Sequence, residues 1–430
     1  MATVTVDQAK LVLNSFAAIF QNNLVSKDLV TWRKFDGEMN DRNGMTVVEQ
    51  VSPDYTTTFT TSAVNDLSGG VQDTTFGSEQ YKLTQVIGSS MGWADFVKIR
   101  DVGEARESEA LRKAALRLAT DIDAYIIGYA AKASNNWVGN TNGTNTVAAF
   151  NDIASAVTRL KKEGVEDEVR AVLSYDDWQA LGTNVVSDNA SLADEGSGTY
   201  RNGFGGKIAG IPTMFTQQLQ PLTVGTRVAS GTTLTNGASP QVAYATVAIS
   251  GAPGQYLTST INLDGQSGAV TLKDGEVFTI AGVFAYDSRA KKQLEHLQQF
   301  RVIGDYTATA GAFANVRVFP AIITSGVYQT VVNTNADFDN RSVTHIGVAN
   351  TATMPRFLAN KSAIIINTAD LILPATGTAS RKALTKVPLS VRMWQDSVFA
   401  TGEHRIRFDV ALEANVAADG RRRIVRVNGS

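Results

Sequence analysis

The sequence predicts an α+β chain carrying an inserted all-β barrel domain, and three stretches support that reading. Residues 101–132 hold a long amphipathic helix pattern, so the host is part-helical. Residues 43–82 are rich in Thr, Val and Gly, with no Lys or Arg between Asn43 and Tyr81, as in a long two-stranded ribbon. From Val228 through Leu263 there is no charged residue, and short strand signals continue to Val318. Near Phe357 the mixed style returns, so the β block of residues 222–346 interrupts the host.

From the N-terminus, residues 7–25 place Leu11, Phe16, Ile19 and Phe20 at loose helical spacing and read as an arm helix. In the ribbon, strand signals flank a turn at Asn65, Asp66, Leu67, Ser68, Gly69 and Gly70. A lone ribbon is marginal in water, so this one is expected to lie on another surface. The helix of 101–132 opens on Asp101 and Glu104, a capping-box-like pair. Leu111, Ala115, Leu118, Ile122, Tyr125 and Tyr129 then recur at steps of three and four, with Arg106, Glu109, Arg112, Lys113, Arg117 and Asp121 opposite. About 30 residues at ~1.5 Å each make a rod of roughly 45 Å, a spine. Residues 151–163 form a second helix stopped by Gly164. Arg170–Ser174 reads as a strand, the next eight residues as a short helix capped by Ser174, and 204–221 as strand–turn–strand.

Composition narrows the function. At 430 residues, two or three structural units are expected. Apolar content of 43% and charged content of 19% describe a folded chain. Thirty-nine basic and 41 acidic residues leave a net charge of −2, so no global field attracts nucleic acid or an anionic membrane. Zero cysteines exclude disulfides, thiolate nucleophiles and Cys-based metal sites, and fit synthesis in a reducing cytoplasm. The first 20 residues show no signal-peptide pattern, and no window reaches the ~18 apolar residues of a membrane span.

Motifs for catalysis are weak. Gly88-Ser-Ser-Met-Gly92 matches the nucleophile-elbow pattern around Ser90, with His404 as a remote partner. The extended-looking residues that follow favour a Gly/Ser bend leaving the ribbon. His296, His345 and His404 lie far from helical metal-pair spacing and read as packed or solvated. Asp176 and Asp177 suit the first turn of a helix without any metal. Gly203–Lys207 lacks phosphate-loop spacing and reads as a hairpin turn. The basic run Arg421–Arg426 has no interleaved aromatics, so it reads as a final strand or tail with solvated arginines. No catalytic, cofactor or metal site is expected, so the reading is an assembling protein and not an enzyme; a β-rich adhesin or a serine hydrolase using Ser90 is the alternative.

The stretch GEVFTIAGVFAYDSRAKKQLEHLQQFRVIGDY, residues 275–306, has strand-like ends around a charged middle. Val277–Phe284 and Gln299–Ile303 read as barrel strands, with Asp287–His296 as the long connection between them. Asp287, Arg289, Lys291, Lys292 and Glu295 are too many charges to bury unpaired, so the connection projects outward as a candidate inter-subunit contact loop. Leu294 and Leu297 anchor its base in this reading.

The pattern GEVFTIAGVFAYD…LQQFRV at 275–302 resembles one in coat proteins of tailed double-stranded DNA bacteriophages, in the family of the short-tailed Salmonella phage coat protein with its inserted domain. GGKIAGIPTMFTQQLQP, at 205–221, is similar to the hairpin preceding the insertion in that family. The resemblance implies a Hong Kong 97-type capsid fold. It implies an N-arm at 1–40, an extended E-loop at 41–88 with its tip at 65–70, and a peripheral domain at 89–139 containing the spine helix. It further implies a body at 140–221, the inserted barrel at 222–346 and the rest of the axial domain at 347–430. The implied function is a major capsid protein of the virion, assembled in the bacterial host cytoplasm as hexamers and pentamers of an icosahedral shell. Scaffolding protein, portal protein and packaged dsDNA are the implied partners. One departure stands out: some family members bridge capsomers through a charged loop, and its counterpart around 240–258 is uncharged here.

Overall fold

The structure is a computed structural model that describes residues 6–35, 46–51, 77–93, 109–143, 145–165, 168–188, 207–208, 210–227, 233–237, 257–288, 290–326, 328–334, 338–374, 378–398, 403–417 and 423–429. Helix α1 (Val6–Asn23) leads to β1 (Thr31–Lys34); β2 (Thr46–Val51) pairs with β3 (Gly77–Lys82), and β4 (Val86–Trp93) follows. Next come α2 (Glu109–Ala133), β5 (Asn136–Val138), α3 (Phe150–Lys162), β6 (Val169–Leu173) and α4 (Tyr175–Asp188). The hairpin β7 (Lys207–Ile208) and β8 (Ile211–Phe215) precedes the β block. That block contains β9 (Leu222–Thr223), β10 (Leu234–Asn236), β11 (Ser259–Asp264), β12 (Thr271–Leu272), β13 (Val277–Asp287) and β14 (Lys292–Val302). It continues through β15 (Tyr306–Thr307), β16 (Phe313–Phe319), β17 (Val331–Asn333), β18 (Val343–Ile346) and β19 (Ala352–Thr353). The chain ends with β20 (Arg356–Asn360), β21 (Ile364–Ala369), β22 (Thr378–Ala383), β23 (Ser390–Val398), β24 (Glu403–Val416) and β25 (Ile424–Val427).

Two compact units result. The first comprises Met1–Val47, Tyr81–Tyr129 and Ile364–Asn415; the second comprises Val48–Gln80, Ala130–Ala363 and Val416–Ser430. In the first, a six-stranded sheet runs β1-β21-β24-β23-β22, with β4 also on β24. Phe16 of α1 stacks on Phe408 of β24 with centroids 3.8 Å apart. The spine pattern appears in α2, where Leu111, Ala115, Leu118 and Ile122 are buried. Arg117–Asp121 and Lys113–Glu109 pair along its outer face. Asp123 accepts the backbone N–H groups of Val25 and Ser26, both at 2.9 Å, which ties the end of the arm to the helix. Residues 101–108 of the expected helix lie outside the described residues, as do the ribbon tip 65–70 and the uncharged stretch around 240–256.

In the second unit, a six-stranded sheet of order β5-β25-β20-β6-β8-β7 packs against α3 over Val147, Ile153, Leu160, Leu358 and Val425. Asp152 accepts from the backbone N–H groups of Ala148 and Ala149 at the start of α3. Gly164, at φ +81°, ends that helix in the left-handed region that glycine adopts without cost. Ser174 and Asp177 cap α4 reciprocally: the Asp177 N–H donates to Ser174 Oγ, and the Ser174 N–H donates to Asp177 Oδ2.

The β block closes on itself. Hydrogen-bonded neighbours run β10-β11-β16-β14-β13, and β13 pairs with β18. An antiparallel bridge from Leu234 to Ser342 brings the β18 end back to β10. Three backbone bonds reinforce that seam: Thr235 N to Arg341 O, Asn340 N to Thr235 O and Val343 N to Thr233 O. The interior is filled by Phe278, Phe300, Phe313, Val316, Val318 and Phe338, all buried. This closed ring is the barrel that the uncharged, strand-rich stretch predicts.

Candidate functional site

The charged stretch expected as a long loop is strand for most of its length. β13 runs to Asp287 and β14 starts at Lys292, so only Ser288–Lys291 connects them. Leu297 lies opposite Phe284, Gln293 opposite Tyr286 and Lys292 opposite Asp287. The correction has a physical reason: two strands reaching past a barrel have no buried face, so apolar/polar alternation is absent and the sequence looks like loop. Lys291, at φ +51°, closes the turn in the left-handed region, and the Ala290 N–H donates to Asp287 Oδ1. Lys292 and Glu295 are exposed, Asp287 and Lys291 half-buried; Arg289 lies outside the described residues. Leu294 and Leu297 are half-buried, so they shield the hairpin without joining the core.

A bulge aims the hairpin. β13 pairs with β18 over Val277–Ile280 and with β17 over Val283–Ala285, and its register against β14 shifts between Thr279 and Phe284. Gly282, at φ +81°, sits at this change of partner. Such a bulge bends the strand and increases its twist. Farther along, His296 approaches Glu163 Oε1 at 4.0 Å. Burial, with Arg159 and Lys162 nearby, pushes its imidazole down to about 4.

At the base of the barrel the sequence conceals a set of buried arginine clamps. Arg227 Nε donates to Glu276 Oε2 at 2.7 Å, with both side chains almost fully buried. Its Nη2 donates to the carbonyls of Ile346 and Gly347, and Glu276 Oε1 accepts the N–H groups of Gly225 and Lys273. One pair therefore joins the incoming chain, the outgoing chain and the start of β13. β9 pairs with β19 just outside it, at Leu222–Thr353 and Thr223–Ala352. Arg426 is buried as well, a correction to the solvated arginine run: its Nη2 donates to the carbonyls of Ser134 and Gly275. Burial draws its guanidinium down to about 9, so it stays charged at neutral pH. Trp137 packs with Val277 and Ile346, and its backbone N–H donates to Gln299 Oε1 at 2.6 Å.

The remaining candidates resolve into structure. Ser90 sits inside β4, opposite Arg407 of β24, so the five-residue pattern is part of a ladder, neither a strand-to-helix elbow nor the expected bend. His404 pairs with Trp93 on the same ladder. Asp177 is fully buried and accepts from Val147 N, Ser174 N and Oγ, and Arg356 Nε at 2.6 Å, which accounts for its carboxylate. Among the described residues, no three His, Cys, Asp or Glu side chains converge as metal ligands.

Comparisons with known proteins place the chain. The structure is similar to that of Mycobacterium phage Che8, at 11% identity and a TM-score of 0.41 over 90% of this chain and 86% of that one. It is also similar to the capsid structure of the Cyanophage P-SCSP1u, at 11% identity and a TM-score of 0.42 over 95% and 88%. The capsid of Ralstonia phage GP4 aligns at 8% identity and a TM-score of 0.41 over 93% and 86%. No curated protein matches the sequence. The family model for the P22 coat protein, gene protein 5, matches residues 1–419. Covered over nearly its whole length, the chain belongs to the P22 coat protein family, whose members are structural proteins of the phage capsid and not enzymes.

Proposed function

We propose that this coat protein builds an icosahedral shell of hexamers and pentamers, first as a scaffold-dependent procapsid that expands while double-stranded DNA enters through a portal. The observation that carries the reading is the coat-family match over residues 1–419. The net charge of −2 supports it, because a near-neutral wall holds DNA weakly and suits a container that must release its cargo. In this reading residues 1–40 are the N-arm, 41–88 the E-loop, 89–139 the peripheral domain, 140–221 with 347–430 the axial body, and 222–346 the inserted domain of a Hong Kong 97-type subunit. Assembly takes place in the host cytoplasm.

The ribbon around 65–70 reaches a neighbouring subunit, and its few charges keep the desolvation cost of that contact low. The β13–β14 hairpin tunes contacts between subunits through Asp287, Arg289, Lys291, Lys292 and Glu295, since opposite charges on one element can meet a second copy. The mature shell lacks Lys–Asn isopeptide bonds, because the ribbon offers no amine between Asn43 and Tyr81 and Lys82 lies at its base. Co-expression with the phage's own scaffolding protein, followed by electron microscopy, is the test. Closed shells are expected; soluble monomers alone would defeat the reading. Denaturing gels of mature particles are expected to show single chains, and a covalent ladder would refute the cross-link statement.

A further inference from the structure

β5 is the end strand of the sheet beneath the barrel, and among the described residues no strand pairs with its outer side. Trp137, at its middle, lies beside Arg426 of β25 on the inner side. The Trp137 backbone N–H donates to Gln299 Oε1 at 2.6 Å, and Gln299 Nε2 donates to Trp137 O at 3.0 Å. A strand residue offers its N–H and its C=O on the same side, and an antiparallel neighbour takes both. A glutamine amide carries one acceptor and two donors on a flat group, as a peptide does, so this single side chain does what a paired strand would do. The contact is reciprocal: Asn135, fully buried, donates from Nδ2 to the backbone carbonyl of Gln299 at 3.2 Å.

Gln299 belongs to β14, the strand that carries the charged hairpin away from the barrel. The chain enters and leaves the barrel side by side, where β9 pairs with β19 over two residues each. Contacts on those two connections make one hinge line, and Gln299 lies on neither of them. Lys292, at the start of β14, is seven residues from Gln299, up to about 23 Å of strand at ~3.3 Å per residue. At that distance a tilt of about 5° moves the hairpin tip by about 2 Å, most of the length of a hydrogen bond.

We infer that Gln299 is a positioning residue: its side-chain amide stands in for a missing strand on the outer side of β5 and so fixes the direction in which the β13–β14 hairpin leaves the body. The consequence for assembly rests on the shell-forming function proposed above, in which that hairpin meets a neighbouring copy. The amide bonds themselves do not depend on it. Occupied in this way, the peptide of Trp137 is also closed to an incoming strand.

Two substitutions in the full-length chain separate shape from bonding. Gln299→Glu keeps the shape and, as a carboxylate, loses the donor to Trp137 O. Gln299→Met keeps the length and loses both bonds. Hydrogen exchange read by mass spectrometry is expected to quicken at least about tenfold in peptides covering β5 in both variants, with β11 and β16 unchanged. Unchanged exchange in β5 overturns the proposal. Shells made with the phage's scaffolding protein are expected to spread in diameter at matched amounts of soluble chain. Ile261→Val, which trims the barrel core and leaves the amide in place, is the control: it is expected to lower protection in the barrel and keep the ordinary diameter. Ordinary diameters from both Gln299 variants overturn the positioning role, as does the same spread from Ile261→Val. Should both Gln299 variants fail to fold, Asn135→Ala, which removes only the reciprocal bond, decides by the same two measurements. Absence of shells from the unaltered chain refutes the shell function, and exchange in β5 still judges the amide.

Discussion

Replacing Arg227 with Met is the sharpest probe of how the inserted barrel is held. The change keeps much of the side-chain volume and removes the guanidinium that bonds Glu276 at 2.7 Å and the carbonyls of Ile346 and Gly347. Glu276 keeps the N–H groups of Gly225 and Lys273 on Oε1, so Oε2 is left with its charge buried and its partner gone. Removing one member of a buried ion pair costs about 3–5 kcal/mol. At ~1.4 kcal/mol per tenfold, that is roughly 100- to 3000-fold in the local opening equilibrium. Hydrogen exchange of the full-length chain, followed by mass spectrometry, reads this opening in peptides from β13 and β18. Protection there is expected to fall by at least about two orders of magnitude, while the β1-β21-β24 sheet is unchanged. Arg227→Lys, a point charge in place of a fork, is expected to recover only part of the loss. A fall of less than about tenfold in β18, corresponding to ~1.4 kcal/mol, would refute the clamp.

Further outcomes follow from the same geometry. Burial holds His296 at about 4 and His345 well below 6.5, so the unfolded chain takes up protons that the folded chain refuses. Stability is therefore full above about pH 6.5 and declines as pH falls toward 4, and His296→Gln is expected to flatten that decline in urea titrations. Excised as residues 222–353, so that β9 keeps β19, the barrel is expected to fold alone and give dispersed amide resonances; collapsed dispersion would count against it. Neutralising Lys292 and Glu295 together is expected to change barrel stability by no more than about 1 kcal/mol, because both side chains are exposed and surface charges contribute little. The same variant is expected to alter shell size or yield in micrographs, and unchanged shells would leave the hairpin charges without a role in assembly.

The sequence announces elements that have one buried face. The spacing of Leu111, Ala115, Leu118 and Ile122 in α2 is legible because that stripe is buried and the other side carries paired charges. The barrel is legible from its uncharged run and the short strand signals that follow it. Its outlying hairpin is not, since Lys292–Glu295 extends a strand with no core beneath it. Nor are the clamps: Arg227 finds Glu276 49 residues away, and Arg426 finds the Gly275 carbonyl at a separation of 151, and no local pattern encodes either distance. Ser90 misleads for the opposite reason. Small residues on β4 satisfy a five-letter motif, while the ladder to β24 leaves them no elbow to form.

The closed ring of the barrel has a consequence for growth at high local concentration. An open sheet brought against many identical copies would offer its unpaired edge to each of them, and strand addition would compete with correct assembly. Here the seam between β10 and β18 occupies the last edge of the ring. The stretch of β14 that reaches past it begins at Lys292 and carries Glu295, both exposed. Charges at those positions discourage an incoming strand. At the barrel, then, contacts between copies run through side chains, which bind weakly enough singly to separate and try again. A misplaced subunit can leave before the lattice closes over it.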